Sequence, residues 1–337
     1  MESDTKSRAE EFVRRLLDEA DDVPCDSTSE FFNKHEELPD FYDEEEFKRG
    51  QAFYHNHIFA MFFSKLLGLL TTLALPKANH ILRMTKRSSD ALSAYKRYVS
   101  TVWHMCVWYD NDFYPGSILW KSIADVKRKH DSASKRATCL GIGNISQKDM
   151  ALAQFGFMGY QITSPKSIGI FRASDDEFRS FIHIWRTIGY AFGIEDRYNI
   201  CREDLNETRE ICLILQRTVF KPLVGKMDNH FLDLSSALIQ GMWVMNPILK
   251  TSVFLTYIWN ILNESETNNN VKPIYELSKW EKLHLNLIYS VIGSLRQTVW
   301  RKFHNYNQKL TLFFMHYWPF LGYFVFGCVV HVQLALN

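Results

Sequence analysis

The chain has 337 residues, 46% of them apolar and 15% aromatic, and a formal net charge of +1. That length can bury one large core or two smaller ones. The charge is uneven: residues 1–50 hold 17 Asp/Glu against 7 Lys/Arg, a net of −10, so the other 287 residues carry +11. The basic excess does not gather into a stripe, which argues against nucleic-acid binding, and the polar, acidic start argues against a signal or transit peptide.

Taken in chain order, residues 1–30 are too acidic for a packed core and read as a mobile leader with a short helix at 7–19. The leader is taken to end at residue 39. Residues 58–75, IFAMFFSKLLGLLTTLAL, form an apolar run with Lys65 as its single charge, stopped by Pro76. This is borderline for a membrane span and reads as a buried core helix. Further helices are predicted near 90–109, 117–134, 146–161, 175–193, 206–222, 230–263 and 280–308. No segment alternates apolar and polar residues for long, so an all-α chain follows. Residues 264–273 read as a polar loop.

Residues 310–337 contain no charged side chain, and Arg301, Lys302 and Lys309 precede them. Such a segment reads as a membrane anchor, with a hydrophobic helix packed in the domain as the alternative. If it spans, the basic flank places the domain on the cytosolic side. Residues 40–309 then form one helical domain.

None of the six cysteines, Cys25, Cys106, Cys139, Cys201, Cys212 and Cys328, has CxxC spacing. Most lie in apolar helical surroundings, which suits a reducing compartment. The sequons at Asn144, Asn206 and Asn263 matter only for a lumenal chain. No GxSxG, HExxH or Walker sequence supports a hydrolase, zinc-protease or kinase reading.

Three stretches hold candidate chemistry. In 117–136, Leu119, Ile123, Val126 and His130 fall on one helical stripe, so the histidine continues an apolar face. Lys127, Arg128, Lys129 and Lys135 crowd around it. Burial and like charge would keep its ring neutral, as a metal or heme ligand requires. A hydrogen-bonded core histidine is the alternative. In 90–109, Arg97, Thr101, His104 and Trp108 share a face. It suits polar groups lining a cavity, or a mixed, half-exposed helix. In 174–193, Ser174 and Glu177 form a capping box. Phe181, Trp185, Ile188 and Phe192 follow as a core stripe, so this helix reads as packing, with Arg186 and Asp196 tying elements together.

Five blocks in order, FYDEEEFKRGQAFYHNH (41–57), YKRYVSTVWHMCVWY (95–109), DVKRKH (125–130), ISQKDMALAQFGFMGY (145–160) and HIWRTIGYAFGIEDRYNIC (183–201), resemble the catalytic domain shared by rubber oxygenases (latex clearing protein) and the ER-bound oxygenase MpaB, with its arthropod-type members. The resemblance covers roughly residues 40–225. It implies a single large helical domain, with a globin-like core and extra helices, that binds heme b. The family's Val-Arg-x-x-His segment falls on Val126-Lys127-Arg128-Lys129-His130, so His130 inherits the proximal iron position and Lys127 replaces an arginine. The family's distal Arg-x-x-Lys-Thr falls on Arg97, Ser100 and Thr101, with serine replacing a lysine that can ligate iron. Arg97 and Thr101 are the implied catalytic pair. Two functions follow as expectations. One is a heme-dependent oxygenase using dioxygen on an apolar, isoprenoid- or lipid-like substrate near a membrane, of the endoplasmic reticulum by family resemblance. The other is a non-catalytic helical scaffold or lipid-binding descendant of the same fold.

Overall fold

The computed structural model describes residues 2–25, 38–86, 88, 90–243, 249–264, 272–317, 326–327, 332, 334 and 336. Among them there is no β-strand, only an isolated bridge between Pro24 and Ser146. The chain is an all-α single domain.

The acidic N-terminal segment is packed structure over residues 2–25, not a mobile leader. Helix α1 (Glu2–Asp18) buries Ala9, Phe12, Val13 and Leu16, and Ala20 follows them into the core. This is the 3.6-residue spacing of an amphipathic helix, which net charge conceals. Arg8 of α1 pairs with Asp204 at 3.3 Å, and past the helix Asp21 pairs with Lys148 at 2.7 Å and with Lys77 at 3.4 Å. Residues 26–37 of the expected leader lie outside the described residues.

Helix α2 (Glu44–Asn56) starts at Asp43, whose carboxylate accepts from the Glu46 amide. Helices α3 (Ile58–Thr72) and α4 (Pro76–Thr85) follow, bent by 95° at the break where Pro76 stops the apolar run. Met61, Leu67 and Leu70 are fully buried, so α3 is a core helix. Helices α5 (Ala91–Asp110), α6 (Ile118–Cys139), α7 (Gln147–Thr163) and α8 (Asp175–Ala191) each begin at a side-chain cap, at Asp90, Ser117, Ser146 and Ser174. The Ser174–Glu177 capping box falls where the sequence places it.

Helix α7 is buried on nearly every side, the pattern of a central helix. It crosses α3 glycine to glycine: a Cβ on Gly68 would lie 2.0 Å from the Gly156 carbonyl oxygen. Two of its buried glutamines bind backbone groups of α8 and of the turn that follows it. Gln147 donates to the Gly193 carbonyl and accepts from the Glu195 amide, both at 2.9 Å. Gln154 donates to the Trp185 carbonyl at 2.7 Å.

Helix α9 (Leu205–Leu215) runs through a π-turn at Gln216–Phe220 into α10 (Lys221–Gly225). The single helix expected over 230–263 is described as α11 (Asn229–Met242) and α12 (Thr251–Leu262), and residues 244–248 between them lie outside the described residues. The helix expected over 280–308 is also two, α13 (Lys279–Ser294) and α14 (Thr298–Tyr317). The proposed anchor boundary at residue 310 therefore falls inside α14. Met315, in its last turn, packs on Tyr95 and Val99 of α5. Most of residues 318–337 lie outside the described residues. Among those described, no single helix is long and apolar enough to cross a membrane.

Candidate functional site

The Leu119–Ile123 stripe of α6 sits at zero exposure in the core. His130, two turns on, is only half-buried as a residue, yet its Nδ1 is enclosed and has no hydrogen-bond partner. Burial pushes its pKa down to about 4, and the cations Arg97, Lys127 and Lys129 add to this. The ring is therefore a neutral imidazole at pH 7, a state suited to holding a metal.

Arg97 of α5 adds to the shift at His130 of α6 because α5 and α6 pack as neighbours. The register is set deeper in the pair, where Ser122 of α6 accepts from Trp108 Nε1 at 2.9 Å. Ser122 Oγ also lies 2.7 Å from His104 Nδ1. The other ring nitrogen of His104 faces Asp125 at 3.5 Å. Burial first and Lys129 second push His104 down to about 4, against the pull of Asp125.

The other candidates are less poised for chemistry. The Thr101 hydroxyl donates to the Arg97 carbonyl at 3.2 Å, a bond within its own helix. Ser100 is half-buried beside it. Lys127 is buried and its Nζ lies 2.6 Å from Asp131. The charge that the sequence places beside the histidine is thus largely neutralised by a neighbour one turn away.

The space at His130 is small. Cys25, Lys127, Asp131, Ser134, Ile145, Met150 and Phe192 close around it and leave a cavity of about 10 Å³, the room of one water molecule. The Phe192 ring stands 5.9 Å from the imidazole, and Cys25 donates to the Phe192 carbonyl at 3.5 Å. A backbone strap holds Cys25 in place: its amide donates to the Ile145 carbonyl at 2.9 Å, and the Gln147 amide donates to the Val23 carbonyl at 2.8 Å. The donor chemistry fits a heme iron, with cations nearby for the propionates. The room does not, since sites for such ligands enclose roughly 300 Å³ or more. A porphyrin would need Phe192 and the Val23–Cys25 strap to move aside. Among the described residues no cluster of three or more His, Cys, Asp or Glu could hold a bare metal ion.

A second constellation escaped the sequence reading. Lys65 of α3 is buried, and its ammonium lies over the rings of Tyr109 at 4.3 Å, Tyr54 at 5.1 Å and Trp185 at 5.5 Å. Tyr54 and Tyr109 stack in parallel at 3.8 Å. Burial pushes the lysine down to about 7. Its cage comes from α2, α5 and α8, so no local spacing announces it.

The opening and middle of α8 are structural. Arg186 makes a two-pronged ion pair with Asp196, both contacts at 3.0 Å, and lies 4.1 Å from the Phe41 ring centre. His183 Nε2 accepts from the Asp43 amide at 3.0 Å, which joins α8 to the start of α2.

This geometry defines an all-α domain in which α5 and α6 form a histidine-bearing helix pair. No protein-family model and no curated protein sequence matches the chain. Among solved structures, it is similar to latex clearing protein in its closed state, with a TM-score of 0.52 and 13% identity over 91% of this chain and 86% of that one. The likeness covers most of both chains, so the two share a fold.

Proposed function

We propose that this chain is a heme-dependent oxygenase of the latex clearing protein fold, acting on an apolar, isoprenoid- or lipid-like substrate at a membrane. The observation that carries the reading is His130: a neutral imidazole with an unpartnered buried nitrogen, in a chain of that fold. His130 would hold the iron, with Arg97 and Lys127 as the cations nearest in charge to it, Lys127 being paired with Asp131. Heme b would supply dioxygen activation for oxidative cleavage of a carbon–carbon double bond. Ser100, where the resembling family has a lysine, would offer the group only a neutral hydroxyl. The membrane part rests on the uncharged residues 310–337 and their basic flank.

A second reading is favoured by the cavity of about 10 Å³: a cofactor-free helical scaffold that keeps the fold without the chemistry. One experiment separates the two. The purified chain is titrated with hemin and its visible spectrum and iron content are measured. The oxygenase reading expects one heme per chain with a Soret band, and loss of that stoichiometric binding in His130→Ala with helical content unchanged. A chain that takes up no heme, or a His130→Ala variant with the same spectrum, overturns it.

A further inference from the structure

Helix α14 presents two opposite faces. One is fixed to the core. The Asn305 side chain accepts from the Phe59 amide at 3.1 Å and donates to the Asn56 carbonyl at 2.8 Å, which clamps α14 to the break between α2 and α3. His304 stacks near Phe59 with ring centres 5.0 Å apart, and Met315 is buried against α5. The other face carries Val299, Phe303, Tyr306, Leu310, Phe313 and Tyr317, all exposed. At 3.6 residues per turn these six fall within about 40° of one direction, pointing away from Met315. Five of them are at least half exposed: Val299 at 76%, Tyr306 at 65%, Tyr317 at 62%, Phe313 at 52% and Phe303 at 50%. An aromatic stripe of this length on the outside of a folded domain marks a surface that is covered in use.

The charge around the stripe says what covers it. Residues 282–337 contain five Lys/Arg and no Asp or Glu. Lys302 and Lys309 are exposed along one edge of the stripe, where long side chains reach past an apolar face to a negative surface. Helix α13 repeats the theme, with Trp280, Leu283 and Leu287 exposed at helical spacing. Tyr and Trp side chains suit the boundary between headgroups and acyl chains, where one end is wet and the other apolar.

We propose that α14 is an in-plane attachment site for an anionic lipid bilayer, with its aromatic stripe in the headgroup–acyl boundary and Lys302 and Lys309 on the phosphates. This deepens the membrane reading above and rests on it, but does not depend on heme binding at His130. The attachment is peripheral: the helix lies along the surface and stays clamped to the domain through Asn305.

The test is flotation of the full-length protein with vesicles of phosphatidylcholine alone or mixed with phosphatidylserine. The wild type is expected to float with the mixed vesicles, less so at high salt. A Phe303→Ser/Phe313→Ser variant is expected to lose at least about tenfold in partitioning, with circular dichroism unchanged because both side chains face solvent. Lys302→Glu/Lys309→Glu is expected to lose about tenfold on the mixed vesicles alone. Failure of the wild type to float overturns both this site and the wider membrane reading. A Phe303→Ser/Phe313→Ser variant that floats like the wild type overturns the site alone and leaves attachment to residues 318–337. Equal binding to neutral vesicles overturns the charge assignment. A wild-type dimer that becomes monomeric in the serine variant makes a second copy of the chain the occupant and overturns the lipid assignment.

Discussion

The ammonium of Lys65 lies 3.2 Å from the Tyr109 hydroxyl, deep in the core, and that hydroxyl also accepts from Trp185 Nε1 at 2.9 Å. Aromatic rings surround the cation, and desolvation outweighs the help it receives from the nearby Cys106. Rings attract a cation through their quadrupoles, but by less than full hydration does.

Lys65→Met is therefore expected to stabilise the protein at neutral pH. The lysine titrates near 7 in the folded chain against 10.5 as its ordinary value. Between those values the unfolded chain holds a proton that the folded chain lacks, so wild-type stability rises with pH across pH 7–10.5. Below pH 7 the burial penalty is fully present, at most about 5 kcal/mol at about 1.4 kcal/mol per pH unit. Methionine keeps most of the volume and removes the charge. Urea unfolding at several pH values should show a higher midpoint for Lys65→Met at pH 7 and a flatter pH dependence. A less stable variant at pH 7 would mean that the cage holds the charged form well.

Three histidines act in the same sense at lower pH. His57, His104 and His130 are each pushed down to about 4 from 6.5, in every case chiefly by burial. Unfolding lets them take protons that the folded chain refuses, so their stability contribution is complete above pH 6.5 and is lost as pH falls toward 4. Cooperative unfolding is expected in that window. His104→Gln should reduce the slope, while costing stability at pH 7 through the lost Ser122 contact. An unaltered slope in the variant would show that His104 is not held neutral.

Some of this was legible in the sequence and some was not, for identifiable reasons. The Leu119–Ile123–Val126–His130 stripe, the Ser174–Glu177 box and the Arg186–Asp196 tie are local patterns, and the fold keeps them. The Lys65 cage was invisible because Tyr54, Tyr109 and Trp185 meet only through packing. In the N-terminal segment, net charge was weighed above the Ala9–Phe12–Val13–Leu16 spacing, and the spacing wins. An acidic segment can dock if its apolar stripe is intact and ion pairs across the fold, Arg8–Asp204 and Asp21–Lys148, accommodate its charges. The division of α13 from α14 had only Gly293 to mark it. The collapse of space around His130 depends on Phe192 and Cys25, which arrive from distant parts of the chain.

Leu16→Ala tests the docking of α1. Leu16 is wholly buried, so truncation should cost about 2–5 kcal/mol, whereas a mobile leader would give no change in the denaturation midpoint. The exposed neighbour Glu10 provides the control, since Glu10→Ala should shift the midpoint little.

Phe192→Ala tests whether room alone keeps heme from His130. The ring lies 5.9 Å from the imidazole and 5.4 Å from Trp108, and its removal opens the wall that it shares with Cys25 and Met150. Truncating a buried phenylalanine should cost about 3–5 kcal/mol, so the titration is run where the variant remains folded by circular dichroism. With space available, the neutral His130 should take up heme more tightly than in the wild type. Adding His130→Ala to the variant should abolish the gain, because the enlarged cavity then has no ligand. If Phe192→Ala loses stability as expected yet binds no heme, then room was not the obstacle. The unpartnered Nδ1 of His130 would then be an ordinary packing cost in a cofactor-free domain.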